Sequence, residues 1–177
     1  DMLKQQKLVQ TDKSNKIAIV TDSGADFNTK KYFDVYVVPV RYSFGNQDYI
    51  DKISQSISDF YIELKNNPIH PKTSQPTPGD FKRKYQYLSF YYSSIISIHI
   101  PEKLSGTYQS ASVAAKNTPG ANISVIDGKN MSVGLGLLIE TIANLIDSTD
   151  LNHNQVLLEI ERTIKNIRIF TAVKDLS

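Results

Sequence analysis

Three short stretches of this 177-residue chain carry residue types able to hold an anion: Thr21-Asp-Ser-Gly-Ala-Asp26, Lys72-Thr-Ser-Gln-Pro-Thr-Pro-Gly79 and Lys103-Leu-Ser-Gly-Thr-Tyr108. Two of them place hydroxyls beside a helix start, Thr73 and Ser74 ahead of one and Ser105 and Thr107 at the other. The first turn of a helix leaves backbone N–H groups unpaired and carries the positive end of the helix dipole. Hydroxyls at that spot can therefore join the backbone in gripping a carboxylate or phosphate. Gly106 would let the backbone approach such a ligand closely. The plainer reading makes Thr77 and Ser105 N-caps, each worth about 1 kcal/mol to its helix. Capping does not account for a Thr-Ser-Gln-Pro loop and a Ser-Gly-Thr-Tyr-Gln-Ser loop in one chain, and both readings stand at this point.

Other chemistries fit less well. The chain has no cysteine, which removes thiol nucleophiles, disulfides and Cys-ligated metal sites. Its three histidines, His70, His99 and His153, are far apart, so no metal site is expected. A serine hydrolase is the rival reading, because Ser105 follows a strand-like run and His99 is near. There is no G-x-S-x-G elbow, however, and the histidine that should come last would be His153, at an expected exposed helix start. Gly134-Leu-Gly136 lacks the third glycine of a dinucleotide fingerprint and falls inside a helical pattern. Asp22 and Asp26 flank a turn, where carboxylates more often bond the backbone than drive phosphoryl transfer.

The elements that must position these loops alternate in type. Ile17–Thr21, Val35–Val40, Ser94–Ile100 and Ile123–Ile126 read as strands, with Pro39 pointing to an edge or a bulge for the second. Arg41–Ile50, with Gly45-Asn46 at its middle, reads as a hairpin. Ser56 and Asp59 resemble a capping box ahead of Ile57, Phe60, Tyr61 and Leu64. Thr77 and Pro78 start a helix whose inner face is Phe81, Tyr85 and Leu88. A helix from Ser105 turns Tyr108, Ala111 and Ala115 inward. Met131–Ile146 is helical and apolar nearly all round, which predicts burial on several sides. Asn152 caps a last helix with Val156, Leu157, Ile160 and Ile164 inward, and Ile167–Val173 reads as one more strand. Strands separated by helices predict an α/β fold, a three-layer, doubly wound, mainly parallel sheet.

Charge and hydropathy narrow the function further. The net charge of +2 resides in residues 1–16, where Lys4, Lys7, Lys13 and Lys16 face Asp1 and Asp12. The remainder carries 16 basic and 16 acidic residues, poor material for a nucleic-acid surface. The longest apolar stretch, Met131–Ile146, falls short of the roughly 20 residues of a membrane span, and the leader has no apolar signal core. The expectation is a soluble, cytoplasmic protein. The start at Asp1 and the end just after an apolar run read as cuts. They suggest 1–16 as a linker or the end of an upstream segment, 17–165 as the main domain, and 166–177 as the start of a truncated second domain.

Five motifs in order, Val20–Asp26, Val38-Pro-Val40, Lys72–Gly79, Lys103–Ala111 and Val133–Leu138, give the chain from about Ile17 to Ser177 a resemblance to the DegV family. These are bacterial fatty-acid-binding proteins that present acyl chains to a fatty acid kinase. The resemblance implies a DegV-like amino-terminal domain with most of the second domain outside the chain. It implies a binding protein and not an enzyme, with no cofactor and no metal. Its expected partners are a long-chain fatty acid and a dihydroxyacetone-kinase-like kinase, separate or fused upstream. Carried over residue by residue, the carboxylate falls to Thr73, Ser74, Ser105, Gly106 and Thr107, with Arg168 as the one basic candidate. Met131, Gly134, Leu135 and Leu138 would wall the acyl chain, although Gly134 and Gly136 also suit close helix–sheet packing. Three departures stand out: Gly24 where the family usually has Thr, Gln75-Pro76-Thr77 where a Ser is common, and Asp127-Gly128 in place of Asp-Ser.

Overall fold

The computed structural model describes residues 16–170. Two β-rich runs, β1 (Ile17–Asp22) and β6 (Ser94–His99), are buried at every position, so they can only be central strands. They pair in parallel with each other, and the flanking strands β2 (Val35–Val38) and β7 (Ile123–Asp127) complete a four-stranded parallel sheet in the order β2-β1-β6-β7. Pro39, which cannot donate to a ladder, directly follows edge strand β2.

Helices cover both faces of this sheet. On one face lie α2 (Pro78–Ser89) and α3 (Thr107–Lys116), which bury Phe81, Tyr85, Leu88, Ala111 and Ala114 against Ala18, Val20 and Ile95. On the other lie α4 (Ser132–Ser148) and α5 (His153–Asn166), which bring Leu138, Ile142, Val156 and Ile160 onto Ile17, Ile19, Ile96 and Ile98. The expected three-layer, doubly wound architecture is the observed one. Full capping boxes start α2, from Thr77 and Asp80, and α5, from Asn152 and Gln155.

Between β2 and β6 the chain makes an excursion. The expected hairpin is present as β3 (Arg41–Phe44) and β4 (Gln47–Ile50). The Thr-Ser-Gln-Pro stretch, expected to be a loop, instead holds a short strand, β5 (Lys72–Ser74), antiparallel to β3. The small sheet β4-β3-β5 packs with α1 (Ile57–Asn66), capped by Ser56, around an aromatic cluster. In it Tyr42 stacks on Tyr49 at 5.0 Å and meets Phe60 edge-on at 5.3 Å.

Two expectations need correction. Helix α4 is not buried on several sides, because Val133 and Leu137 are exposed on its outer face and Met131 is 42% exposed. Its apolar outer positions overstate burial because periodicity cannot tell covered from merely apolar. In the expected last strand, Ile167–Phe170 form no strand among the described residues, and the rest of it, like residues 1–15 of the leader, lies outside them.

The start of α5 makes the fold pH-sensitive. His153 Nε2 and Ser124 Oγ share a hydrogen bond at 2.7 Å, while the Nδ1 of the ring is buried with no partner among the described residues. Burial pulls the imidazole below its ordinary 6.5. The unfolded chain therefore takes up this proton first. The His153 contribution is complete above pH 6.5, declines as the pH falls below that value, and is gone below the depressed folded value. Urea midpoints of the wild type should thus fall between pH 7.5 and pH 5 by more than those of His153→Gln. Parallel slopes for the two proteins would sink this assignment.

Candidate functional site

From β1 the chain crosses to β2 on one side, and it later returns to place β6 on the other side of β1. Strand order thus reverses between β1 and β6, and the carboxyl ends of those two strands flank the crevice where open α/β sheets bind ligands. Two of the three chemically loaded stretches leave from these strand ends: Asp22–Asp26 after β1 and Ile100–Thr107 after β6.

The two loops are joined from below by Asp22. Its carboxylate, wholly buried, accepts Gly24 N–H at 2.9 Å on Oδ1, and Ile100 N–H at 3.2 Å and His99 Nδ1–H at 2.9 Å on Oδ2. Gly24 has no room for a side chain, since a Cβ there would lie 2.8 Å from both Asp22 Oδ1 and Ile100 Cγ2. The departure from the family's usual Thr is thus matched by the bulk of Ile100. His99 is also wholly buried, and its Nε2 lies 2.7 Å from Ser97 Oγ. The hydrolase reading had paired His99 with Ser105. The imidazole is instead committed to Ser97 and Asp22 inside the core, where no substrate reaches it.

After Ile100, a turn closed by Leu104 N–H and Ser105 N–H on the Pro101 carbonyl, at 2.9 and 3.2 Å, delivers Ser105 to the head of α3. Gly106, not Ser105, is the N-cap, and no side chain caps the helix. Ser105 Oγ accepts Thr107 N–H at 3.2 Å and lies 2.9 Å from Thr107 Oγ1. Ser105 and Gly106 are partly exposed, whereas Thr107 is buried.

The third stretch reaches this loop through Gln75. Its side chain lies flat on Gly106, so close that a Cβ would come within 2.3 Å of Gln75 Oε1, and its Nε2 points to Ser110 Oγ at 3.5 Å. Thr73 pairs with Tyr42 and Ser74 with Arg41. Cross-strand partners share a face and neighbours alternate, so Thr73 and Ser74 face opposite ways. Both are exposed. Ser74 shares its face with Arg41, whose guanidinium grips Asp80 at 2.8 and 3.2 Å. That grip, aided by the capping bonds from Thr77, holds the Asp80 carboxyl far below the usual carboxylate range and ties the small sheet to α2. Thr77 is thus a cap, Gln75 is the residue that meets the α3 loop at Gly106, and Thr73 is exposed on β5 opposite Tyr42.

On the opposite face, the head of α4 is clamped to the β1 loop. Ser132 N–H donates to the Gly24 carbonyl at 2.8 Å, and Asp26 N–H donates to the Ser132 carbonyl at 3.1 Å. Burial raises the Asp26 carboxyl, but hydrogen bonds from Lys52 and Ser132 outweigh it and keep the group below its ordinary value. Of the residues expected to wall an acyl chain, Leu135 and Leu138 are fully buried in the core beneath the sheet, Gly134 packs near Asn130 and Ile169, and Met131 is exposed. Arg168 reaches the same end of the sheet but folds back, donating to the carbonyls of Lys165 and Ile167 at 2.6 and 2.9 Å. A groove of about 410 Å³ lies elsewhere, between β2, β3 and α2. Among the described residues there is no cluster of potential metal ligands and no helix long and apolar enough to cross a membrane.

The molecule is a doubly wound α/β module, a class in which the loops at the switch point are the usual place for a ligand. The model of the DegV family, described as uncharacterised, matches residues 16–177, and the chain belongs to that family. A DegV domain-containing protein of Clostridium perfringens is 35% identical over 167 residues, covering 92% of this chain and 60% of the relative. The solved structure of a DegV family protein from Thermus thermophilus, described as fatty acid binding, shares 32% identity at a TM-score of 0.76, over 85% of this chain and 54% of that one. DegV of Bacillus subtilis, described as a fatty acid binding protein, superposes with a TM-score of 0.80 at 28% identity, over 86% and 55%. The chain thus spans a little over half the length of these three proteins.

Proposed function

We propose that this chain supplies the head-group end of a fatty-acid-binding protein and is not itself an enzyme. The carboxylate is held by the Thr73 and Ser105 hydroxyls and by amides at the head of α3, those of Gly106 and of Thr107, the latter exchanging its bond to Ser105 Oγ for one to the ligand. Ser74, on the other face of β5, and Arg168, folded onto its own helix end, join the site only if they turn toward it. The acyl chain lies along the apolar surface near Met131 and Gly134. The seating of Gln75 on Gly106 carries this reading, because it brings the Thr-Ser loop against the Ser-Gly-Thr loop at the topological switch point. The described functions of the two solved relatives agree with it. An exposed head group suits presentation to a cytoplasmic, dihydroxyacetone-kinase-like fatty acid kinase, separate or fused upstream, for acyl-phosphate formation.

The protein, in the longest form its gene encodes, should leave a bacterial host with a long-chain fatty acid bound, visible as a mass increment under native conditions. Thr73→Ala and Ser105→Ala should each weaken oleate binding about tenfold, the worth of one hydrogen bond to a charged group, with melting temperatures near that of the wild type. Loss of stability with unchanged affinity would return Ser105 to a local structural role. A protein that stays ligand-free in excess oleate would point to another small anion on the same loops.

A further inference from the structure

Asp22 and His99 lie deeper than any ligand would reach, yet the groups they hold are the first residues of the two loops at the switch point. Tyr85 O–H donates to Ser97 Oγ at 2.7 Å, so the Ser97 proton turns to His99 Nε2 and the ring proton sits on Nδ1, facing Asp22. Each donor in this row has one acceptor, and the directions of all its bonds are set together. At the far end the carboxylate still has capacity for two amides, Gly24 and Ile100. Ile100 is followed by the tight turn on the Pro101 carbonyl that ends at Ser105. A core needs no such row, since apolar residues of like shape fill such space at little cost. An apolar side chain cannot pin the Gly24 and Ile100 amides.

We infer that Asp22, oriented by His99, is the positioning residue of the carboxylate site: it fixes the β6–α3 loop before a ligand arrives and so spares the cost of ordering it on binding. Its ligand rests on the fatty-acid reading above, and its geometry does not. Ser97 and Tyr85 only complete the imidazole and do not touch either loop.

Asp22→Asn keeps the shape but has one acceptor oxygen. Turned to the ring and Ile100 it sets its NH2 against Gly24 N–H, and turned to Gly24 it sets the NH2 against Ile100 N–H and the ring, so either way one loop amide loses its acceptor. The amide resonances of Ile100 and Ser105–Thr107 should move in the ligand-free protein, and the oleate Kd should rise tenfold or more. Ser97→Ala should lower the melting temperature yet leave those amides in place and the Kd within twofold. Equal effects of the two variants on the loop, or an unmoved loop in Asp22→Asn, would overturn the inference. If the wild type binds no oleate, the fatty-acid reading fails, and the ligand-free amide shifts still decide this one. Should Asp22→Asn not fold, His99→Gln and His99→Ala replace it. The glutamine retains a donor for Asp22 and should preserve the loop amides, whereas the alanine should displace them, and identical loop shifts in both would count against the role.

Discussion

Asp22→Ala is expected to destabilise the protein by about 3–5 kcal/mol, the range for removing one partner of a buried, hydrogen-bonded charge. The carboxylate is 0% exposed and its loss strands three donors at once: His99 Nδ1–H, Gly24 N–H and Ile100 N–H. Each buried donor left unpaired costs about 1–3 kcal/mol, and the side-chain volume left behind adds a cavity term. Tyr85→Phe acts at the other end of the same row. It removes one hydroxyl that donates to Ser97 and should cost only about 1 kcal/mol, because Ser97 keeps its bond to the ring. Urea unfolding of both variants measures the difference directly, with an unchanged slope required for the comparison. A cost for Asp22→Ala no larger than that for Tyr85→Phe would mean that water replaces the carboxylate on the two loop amides, and the row would then be a local filler.

Sequence periodicity was enough to place the sheet and its helices, because burial in a parallel sheet demands largely apolar runs, seen in Ile17–Val20 and, broken only by Ser97, in Ile95–Ile98. The capping boxes at Thr77 and Asn152 were legible for a similar reason, since a cap is a local bond between residues three apart. What escaped were contacts without local cause. Strand β5 has three exposed residues and exists only because β3 offers it an edge. The Asp22–His99 bond joins residues 77 apart in sequence. A signal for it was present in Ser97 and His99, two polar residues that share one face of a wholly buried central strand and must find a partner there. The three loaded loops were named from residue type alone. Their meeting at Gln75 and Gly106, and the opposite facing of Thr73 and Ser74, depended on pairing registers that no spacing reveals.

The glycines of α4 separate two readings that the sequence left open, and Gly136→Ala should show it as a loss of about 3 kcal/mol or more. Within a helix, glycine-to-alanine ordinarily stabilises by about 1 kcal/mol, so a large loss needs a steric cause. At Gly136 a Cβ would sit 1.9 Å from the Asp26 carbonyl oxygen and 2.6 Å from its carbon. These are backbone atoms, pinned by Ser132 and by the adjacent bond from Lys52 Nζ to the Ala25 carbonyl at 3.0 Å, and they cannot rotate away. Overpacking of this kind typically costs about 1–3 kcal/mol and more where the neighbour is rigid. Gly134→Ala is the control one half-turn away. Its Cβ would meet the Asn130 side chain at 3.1 Å, and a side chain can yield by a few tenths of an ångström, so the helix-propensity gain and the crowding should roughly cancel. Thermal unfolding of the two variants distinguishes the cases. A strong loss at Gly136 with near-neutrality at Gly134 assigns Gly136 to the seating of α4 on the β1 loop and shows that the packing of Asn130 and Ile169 around Gly134 can yield. Equal, small effects would show that the Asp26 loop can move away from the helix. The switch-point loops would then owe their position to Asp22 alone.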